Sequence, residues 1–519
     1  MKKHNIFKVL TIVILLSMVL SYIIPGSTLS YAGIEQGTIK PVTFANAISN
    51  SITSLNALIT TIVFVLVIGI FYFVLKKTNK YETLVENTAS VFDTNRGLFI
   101  VITVFGLGLV TLFSGDILPM LLFVPFLMDV LSKLGFNKFS NILATFGSII
   151  IGFSGATYTY YINAYLTLTT KDSFTTKLTL GLMGLVSIVA FILIFNKNRK
   201  LNGEIRKSTM KKMIPLYVIF GLLFVFIVLG FINWNAYFGF DGFEVFLNNL
   251  REAKVADVSI FDAVFGTIVA AFGTWQSYNL AILVLFTTII IALIYGLKVD
   301  DFMDAVGEGL KKTFPYAIIV ALANIVLVNV YSSGIFTTLI AGLTSKNVDL
   351  FTGSITSALS SVVFPDSGYA AQFTLSSLMG TSANNYELLF GVTFQAMYSL
   401  FLLISPTSIL ILFALRMTNT RYVEWIKYIG KYFLALLIFD LLVIACFQGA
   451  FTQSAIIFIL AIVVLLAFII VATRNKKITK KEEVKKEVVK EEKPIKKTTT
   501  KKTATKKTTK KVTKKTTKK

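Results

Sequence analysis

Two short polar segments interrupt an otherwise apolar chain and carry groups that could bind a small ion or solute. One segment holds Asp366, Ser367 and Gly368 directly after a proline, and the other holds Ser114, Gly115 and Asp116. A carboxylate there could bind sodium, accept a proton or hold an ammonium group, and an acidic group inside a membrane is costly enough to suggest a function. The alternative is that both segments simply reach water at the membrane surface.

Each polar segment is followed, about forty residues later, by a second interruption. Breaks in a membrane helix free backbone groups, which is tolerated where those groups face protein or a polar cavity. We therefore predict that these second breaks also bind the substrate or a coupling cation such as sodium. Their hydroxyl groups could instead satisfy their own helix backbone. The candidate residues are Ser154, Gly155 and Thr157 in the first half, and Ser405, Pro406, Thr407 and Ser408 in the second.

Two further polar residues lie within apolar segments. Gln395 precedes the second break and is a candidate binding residue, with ordinary hydrogen bonding between helices as the alternative. Asp440 lies in the middle of the run L-L-I-F-D-L-L-V-I and needs a partner, a wet pocket or a proton. It is either a proton carrier or a structural hydrogen-bonding group. No lysine or arginine is evident within the breaks, so an anionic substrate would depend on helix N-termini and hydroxyl groups.

The composition defines the class of protein that must position these groups. With 519 residues, 55% of them hydrophobic, and a mean hydropathy of +0.74, the chain is a polytopic membrane protein rather than a soluble enzyme. One cysteine and one histidine exclude a disulfide framework and a zinc cluster supplied by this chain. No nucleophile-and-base arrangement or nucleotide-binding loop is present, so the sequence predicts neither an enzyme nor an ATP-driven pump.

The spacing of the breaks predicts an internal duplication. A shift of 251 positions places Ser367 on Asp116 and Asp366 on Gly115, although chance spacing of small residues is the alternative. Basic residues follow the second broken helix but precede the first, which indicates that the two copies point in opposite directions. We therefore predict an all-α polytopic membrane protein, built as an inverted-repeat secondary transporter with two re-entrant hairpins and two broken helices.

Charge divides the chain into four segments. A loop rich in lysine and arginine separates the two repeats, so the positive-inside rule places this loop in the cytoplasm. We predict a multi-pass protein of the plasma (inner) membrane with both termini in the cytoplasm. Residues 9–24 form a retained first span or a cleaved signal peptide. The predicted domains are an N-terminal repeat 1–196, the cytoplasmic loop 197–213, a C-terminal repeat 214–473 and a tail 474–519.

The C-terminal tail contains 21 basic and five acidic residues, which is too polar a composition to form a core. We expect it to be disordered and to contact anionic lipid headgroups. Nucleic acid is an alternative partner for the tail, because the same charges would meet phosphates, but is not expected for the membrane core. The other expected partners are the lipid bilayer and a small-molecule substrate, and the sequence is also compatible with a homodimer.

Several motifs resemble those of the YfcC/DcuC group, the C4-dicarboxylate anaerobic carriers of the ion transporter superfamily. They are I-I-P-G at 23–26, G-F-N at 135–137, the runs S-G-Y-A-A-Q, F-Q-A-M-Y-S-L and S-P-T-S, and R-Y-V-E-W-I-K-Y at 421–428. The resemblance spans about residues 6 to 450. It implies a secondary carrier with two hairpins and two broken helices, and members of this group are also described as basic amino-acid antiporters. By position, Ser367, Gly368, Pro406 and Thr407 fall on the second hairpin and second break.

The chain departs from the family pattern at two places. Ala396, Met397 and Tyr398 stand where a Gly-Asp pair follows F-Q, and Gly155-Ala156 stands where an Asn-Pro marks the first break. The predicted function is secondary active transport of small carboxylates or amino acids, by ion coupling or exchange. No cofactor is expected, apart from sodium or a proton as the coupling ion. The alternative is a non-transporting membrane interaction protein that displays the basic tail.

Overall fold

The described part of the first half of the chain folds into ten α-helices that contain the first hairpin and the first broken helix. The computed structural model describes residues 5–30, 33–196, 213–255, 258–344, 349–379, 387–447, 459–467 and 469–470. The helices are α1 (Asn5–Ser21), α2 (Phe44–Ala57), α3 (Ile59–Lys77), α4 (Tyr81–Val91), α5 (Arg96–Ser114), α6 (Val124–Lys133), α7 (Lys138–Ile142), α8 (Ser148–Ser154), α9 (Tyr160–Leu166) and α10 (Phe174–Asn196).

The second half contains twelve further described helices, and residues 459–467 are also helical. These are α11 (Ile214–Phe231), α12 (Trp234–Phe238), α13 (Gly242–Glu252), α14 (Ile260–Phe265), α15 (Ser277–Ile294), α16 (Val299–Ser333), α17 (Ile335–Thr344), α18 (Leu350–Val363), α19 (Ser367–Met379), α20 (Glu387–Leu402), α21 (Ile409–Met417) and α22 (Tyr422–Phe447). Two small hairpins are the described strands: β1 (Ser27–Ser30) with β2 (Gly33–Gln36), and β3 (Lys254–Val255) with β4 (Val258–Ser259).

Within the described residues, seven helices are long and apolar enough to cross a membrane, namely α3, α5, α10, α11, α15, α16 and α22. The predicted all-α membrane fold is confirmed, with the two short β-hairpins as its only described departure. Residues 197–212 of the basic loop and residues 474–519 of the tail lie outside the described residues. The predicted domain boundaries therefore stay predictions.

Helix α16 joins an acidic N-terminal segment and an apolar span in one continuous helix. It runs through Pro315 without interruption for 35 residues. A proline removes one backbone donor and crowds the preceding turn. Here that turn lies in the charged segment around Lys311 and Lys312, whose side chains are exposed, so water can satisfy the freed carbonyl group. Apolar packing of the following residues then continues the helix.

The first hairpin consists of α5, a polar tip, a 3₁₀ turn at Pro119–Leu122 and α6. The start of α5 and the end of α6, which lie opposite the tip, are joined by a hydrogen bond. The guanidinium of Arg96 donates it to the carbonyl of Leu134 at 2.9 Å. Gly115 ends α5 in the left-handed conformation, with φ of +62°. A side chain there would also collide with the carbonyl oxygen of Tyr158, so this tip requires glycine for two reasons.

The second hairpin is formed by α18 and α19, which turn at Phe364, Pro365 and Asp366. Hydroxyl groups join its two arms, since the Oγ of Ser360 lies 2.6 Å from the Oγ1 of Thr374. The second broken helix, α20 and α21, lies against α18 in the same way that α8 lies against α5. Each half therefore places one broken helix against one hairpin arm.

The hydrogen bonds at the breaks define the register of the two copies. The hydroxyl of Thr157 donates to the carbonyl of Leu112, and the hydroxyl of Thr407 donates to the carbonyl of Val362, at 3.3 and 2.8 Å. Both pairs are 45 residues apart, so the equivalent positions differ by 250 rather than 251. The predicted shift of 251 positions between the two copies was therefore one residue too large. In the corrected register Asp116 corresponds to Asp366.

The two copies pack their hairpin arms with different small residues. In the first copy, a Cβ atom added to Gly152 would lie 2.3 Å from the carbonyl oxygen of Gly108, so the backbones of α5 and α8 are in direct contact. In the second copy, α18 buries mainly hydroxyl residues together with one glycine. These residues are Gly353, Ser354, Thr356, Ser357, Ser360 and Ser361. Small residues allow close helix contact inside a membrane in both cases.

Candidate functional site

A cavity of about 670 Å³ lies where the two hairpin tips approach each other. Both tips contribute directly, and α3, α9 and the segment before α15 complete the wall. The tip residues that line it are Ser114, Gly115, Asp116, Asp366, Ser367 and Gly368. A second, smaller cavity of about 40 Å³ lies behind it and shares Asp116, Asp366 and Ser367. The structure thus brings the two predicted polar segments together at one site.

Each of the two aspartates accepts a hydrogen bond from a backbone N–H group of its own hairpin tip. The Oδ1 of Asp116 accepts a hydrogen bond from the backbone N–H of Leu118 at 2.9 Å, and the Oδ1 of Asp366 accepts one from the N–H of Tyr369 at 3.0 Å. Each side chain is partly buried and lines both cavities. No hydrogen bond from a side chain of the described residues to either carboxylate is present. Both carboxylates are therefore oriented by backbone N–H groups of their own tips.

Most of the predicted break residues satisfy backbone groups instead of lining the large cavity. The hydroxyl of Ser405 donates to the carbonyl of Ser361 at 2.7 Å, and that of Ser154 donates to the carbonyl of Ile151 at 2.8 Å. The carbonyl groups at the end of a hairpin arm lack helical partners, so the nearest hydroxyl groups take up this role. Six of the predicted break residues line neither cavity, and their role in binding stays a prediction: Ser154, Gly155, Thr157, Ser405, Pro406 and Thr407.

Ser408 lines the smaller cavity and caps α21, because its hydroxyl accepts a bond from the N–H of Ile411. Gln395 also satisfies a backbone group at a break, because its side-chain amide donates a hydrogen bond to the carbonyl of Phe153. Its Oε1 atom is buried without a partner in the described structure. Asp440 is 3% exposed and lines neither cavity. Neither Gln395 nor Asp440 is therefore a residue of the cavity wall in this structure.

Sequence reasoning missed three features of the site. Five tyrosines line the large cavity, and Thr61 of the apolar helix α3 lines both cavities. Lys177 is 1% exposed, and its ammonium has no hydrogen-bond partner in the described structure. Its carbonyl oxygen packs against Gly155 at the first break, so a buried lysine does lie beside that break. It was missed because the apolar run of α10 starts after it.

The first break is also closed by a residue from the second half of the chain. The hydroxyl of Tyr237 on α12 donates to the carbonyl of Phe113 at 3.1 Å and also contacts the hydroxyl of Thr157. This tyrosine therefore joins the end of the first hairpin arm to the first break.

Replacing Tyr237 with phenylalanine is expected to lower the free energy of unfolding by about 1 to 2 kcal/mol. The ring would remain, but the carbonyl of Phe113 would lose a hydrogen bond. Thermal unfolding of the purified protein in detergent checks this. Tyr331→Phe is the control, because that tyrosine is 59% exposed and makes no described hydrogen bond through its hydroxyl. Identical melting curves for the two variants would contradict the role of Tyr237.

The large cavity carries negative charge without a described positive counterpart. Two carboxylates and five tyrosines line it, and no lysine or arginine of the described chain does so. Tyrosine rings and carboxylates both favour a cation over an anion. Chemically, the site can hold an ammonium group beside Asp116 and Asp366, with aromatic rings around the remainder of the molecule.

The sequence model of the C4-dicarboxylate anaerobic carrier family matches residues 4–449. A crystal structure of the YdaH transporter from Alcanivorax borkumensis, described as having an unusual topology, is similar at 12% sequence identity. That similarity covers 86% of this chain and 98% of the other, with a TM-score of 0.41. A search of curated proteins found no match.

Proposed function

Because the chain belongs to the C4-dicarboxylate anaerobic carrier family, we propose that it is a secondary active transporter whose large cavity binds an amino acid through its ammonium group. The observation that carries this proposal is the pair of carboxylates, Asp116 and Asp366, in a cavity whose described lining has no lysine or arginine. A dicarboxylate would add two negative charges to a site that already has two, and like charges repel strongly where water is scarce.

The aromatic wall supports the same substrate class. The tyrosines are Tyr158, Tyr160, Tyr161, Tyr278 and Tyr369. Cations bind over such rings, with an attraction that grows when water is excluded. The cavity, at about 670 Å³, is within the range of small-molecule sites. An amino acid with a cationic side chain would satisfy both carboxylates, and a zwitterionic one would satisfy a single carboxylate.

The matching contacts of the two halves support transport by alternating access. Each half pairs a hairpin with a broken helix, and the tips of both hairpins meet at one cavity. Inverted repeats can exchange conformations around such a central site, which opens it to one side of the membrane and then to the other. Exchange of one amino acid for another would require no net movement of charge if both substrates carry the same charge.

The location and orientation of the carrier follow from its charges. We propose the plasma membrane, with the basic loop 197–213 and both termini in the cytoplasm, because positively charged loops stay on that side. The tail, which carries 21 basic residues, would then face anionic lipid headgroups of the inner leaflet. Protease treatment of sealed right-side-out vesicles should leave the tail intact; its removal would reverse the proposed orientation.

Uptake into proteoliposomes tests the substrate class. Purified protein would be reconstituted into vesicles loaded with unlabelled lysine and alanine, or with unlabelled succinate. External radiolabelled lysine, alanine or succinate would then be supplied to each set. We expect lysine or alanine to accumulate and succinate to remain at the level of protein-free vesicles. Uptake of succinate without uptake of either amino acid would contradict the proposal and would instead support a dicarboxylate substrate.

A further inference from the structure

A further cavity of about 500 Å³, the aromatic cavity, lies at the end of the first hairpin arm. It shares no lining residue with the two cavities at the hairpin tips. Most of its wall consists of aromatic side chains from both halves of the chain. These are Phe113, Phe174, Trp234, Tyr237 and Phe238. A cavity of this size with an apolar wall is suited to an apolar group such as an alkyl chain.

Hydrogen bonds and ring contacts hold the aromatic wall in place. The indole N–H of Trp234 donates to the carbonyl of Leu229 at 2.8 Å, and its ring stacks on that of Phe238 with centroids 5.9 Å apart. The hydroxyl of Thr170, which also lines the cavity, donates to the carbonyl of Ala236 at 2.8 Å. This bond ties the loop before α10 to α12. The wall is therefore already ordered, which lowers the cost of binding a ligand.

The aromatic cavity lies at one end of two consecutive spans. Helix α10 begins at Phe174 and α11 ends at Phe231, and both are long and apolar enough to cross a membrane. Because the loop 197–213 joins their other ends, the start of α10 and the end of α11 face the same side of the membrane. Trp234 and Tyr237 follow α11 directly, and these residue types concentrate where a span meets the headgroups. The cavity therefore lies at the depth at which lipid headgroups join their acyl chains.

A lysine gives the aromatic cavity a positive charge. Lys171 lines it, and no aspartate or glutamate of the described chain does so. The neighbouring acid, Asp172, has its Oδ2 engaged by the backbone N–H and the hydroxyl of Thr169, at 2.6 and 2.8 Å. No ion pair between described residues involves Lys171. An ammonium group at this depth attracts an anionic headgroup.

We propose that the aromatic cavity binds one acyl chain of an anionic phospholipid, whose phosphate lies beside the ammonium of Lys171. Aromatic surface is unfavourable in contact with water, and the acyl chain would cover it. Phe238 lines the cavity and is 72% exposed, so the cavity reaches the protein surface there. The chain would also lie against Phe113 and Tyr237, whose carbonyl and hydroxyl groups meet at the first break. The lipid would therefore stabilise this break, whichever solute is transported.

Quenching of tryptophan fluorescence measures this binding directly, because Trp234 lines the aromatic cavity. Purified full-length protein in detergent would be titrated with phosphatidylglycerol or phosphatidylcholine whose acyl chains carry bromine, a short-range quencher. The chain has three tryptophans, so the same titration of Trp234→Phe is subtracted to isolate the signal of Trp234. We expect this signal to be quenched, and phosphatidylglycerol to act at a concentration about fivefold lower than phosphatidylcholine.

Lys171→Gln tests the role of the positive charge. We expect this variant to bind the two lipids equally, because glutamine keeps much of the side chain but has no charge to attract the anionic headgroup. Lys254→Gln is the matched control, because Lys254 is an exposed lysine between α11 and α15 that lines none of the three cavities. This control should keep the preference of the wild type. A preference that survives in Lys171→Gln, or is lost equally in both variants, would overturn the proposed headgroup contact.

Phe238→Glu tests the cavity itself, because it places a carboxylate on the apolar wall. We expect about tenfold more phosphatidylglycerol to be needed for the same quenching of Trp234. Phe246→Glu is the matched control, because Phe246 is 63% exposed and lines none of the three cavities. Both variants should unfold at the temperature of the wild type, since both side chains are exposed. Equal weakening in both, or no quenching of Trp234 in the wild type by either lipid, would overturn the proposal.

Discussion

Replacing Asp366 with asparagine is expected to lower the initial rate of amino-acid uptake about 100-fold. Asp116→Asn is expected to lower this rate by nearly as much. An asparagine side chain keeps an oxygen that can accept the N–H of Tyr369 or Leu118, so either tip should retain its turn. The substitution removes only the charge. Loss of one partner of a desolvated charged pair typically costs 2 to 5 kcal/mol, and 1.4 kcal/mol corresponds to a factor of ten.

The matched control is Asp349→Asn. Asp349 caps α18 by accepting the N–H of Thr352 at 2.8 Å, lines neither cavity, and belongs to the same half of the protein as Asp366. Its replacement should change uptake by less than threefold, because asparagine is an equally good cap. Proteoliposome uptake, normalised to the amount of reconstituted protein, measures all three variants. An Asp366→Asn protein that transports like the Asp349→Asn control would show that the carboxylates do not bind the substrate.

Gly155→Ala is expected to destabilise the protein by about 3 kcal/mol and to abolish transport. A Cβ atom at this position would lie 2.4 Å from both the Cα and the N of Gly181, and 2.5 Å from the carbonyl oxygen of Lys177. All three are backbone atoms of α10, so no side-chain rotation could relieve the overlap. Overpacking of a tight interior costs about 1 to 3 kcal/mol or more, and this contact is at the severe end.

Gly106→Ala is the control for a glycine in the same bundle. No heavy atom lies within 4 Å of the position that its Cβ would occupy, and alanine favours the helix over glycine. Thermal unfolding in detergent should therefore show Gly106→Ala at or slightly above the wild type, and Gly155→Ala well below it. Equal unfolding temperatures for the two variants would mean that α8 and α10 do not touch at the first break.

The location of the site was predictable because it depends on local features. Proline, glycine, serine and aspartate disrupt helices wherever they occur together, so the tips at Asp116 and Asp366 are evident in the sequence. Their approach to one cavity followed from the duplication. The register was off by one because few identities fix an alignment of apolar helices. Only the paired contacts of Thr157 and Thr407 define it.

The roles of individual polar residues were not predictable, because they depend on which neighbour a side chain meets. Thr157 and Ser405 have the residue type expected of ligands, yet the carbonyl groups of the hairpin arms lie nearer and take their hydrogen bonds. Thr61 was hidden in a uniformly apolar helix. Lys177 lay at the edge of a span, where lysine usually reaches the membrane surface. Helix packing, which a single sequence does not reveal, decided all four cases.

The different small residues in the two hairpin arms imply that water would find hydrogen-bond acceptors in one half of the protein and not in the other. In the first half, the contact between Gly108 and Gly152 joins backbone to backbone and offers no side-chain oxygen. In the second half, the buried hydroxyl of Ser357 uses its proton to bond the carbonyl of Gly353 within α18, so its oxygen can still accept a hydrogen bond. A water molecule that enters between a hairpin arm and its broken helix would therefore meet a hydroxyl acceptor at this contact in the second half and none at the glycine contact in the first. We expect hydroxyl-radical footprinting to label the second arm first.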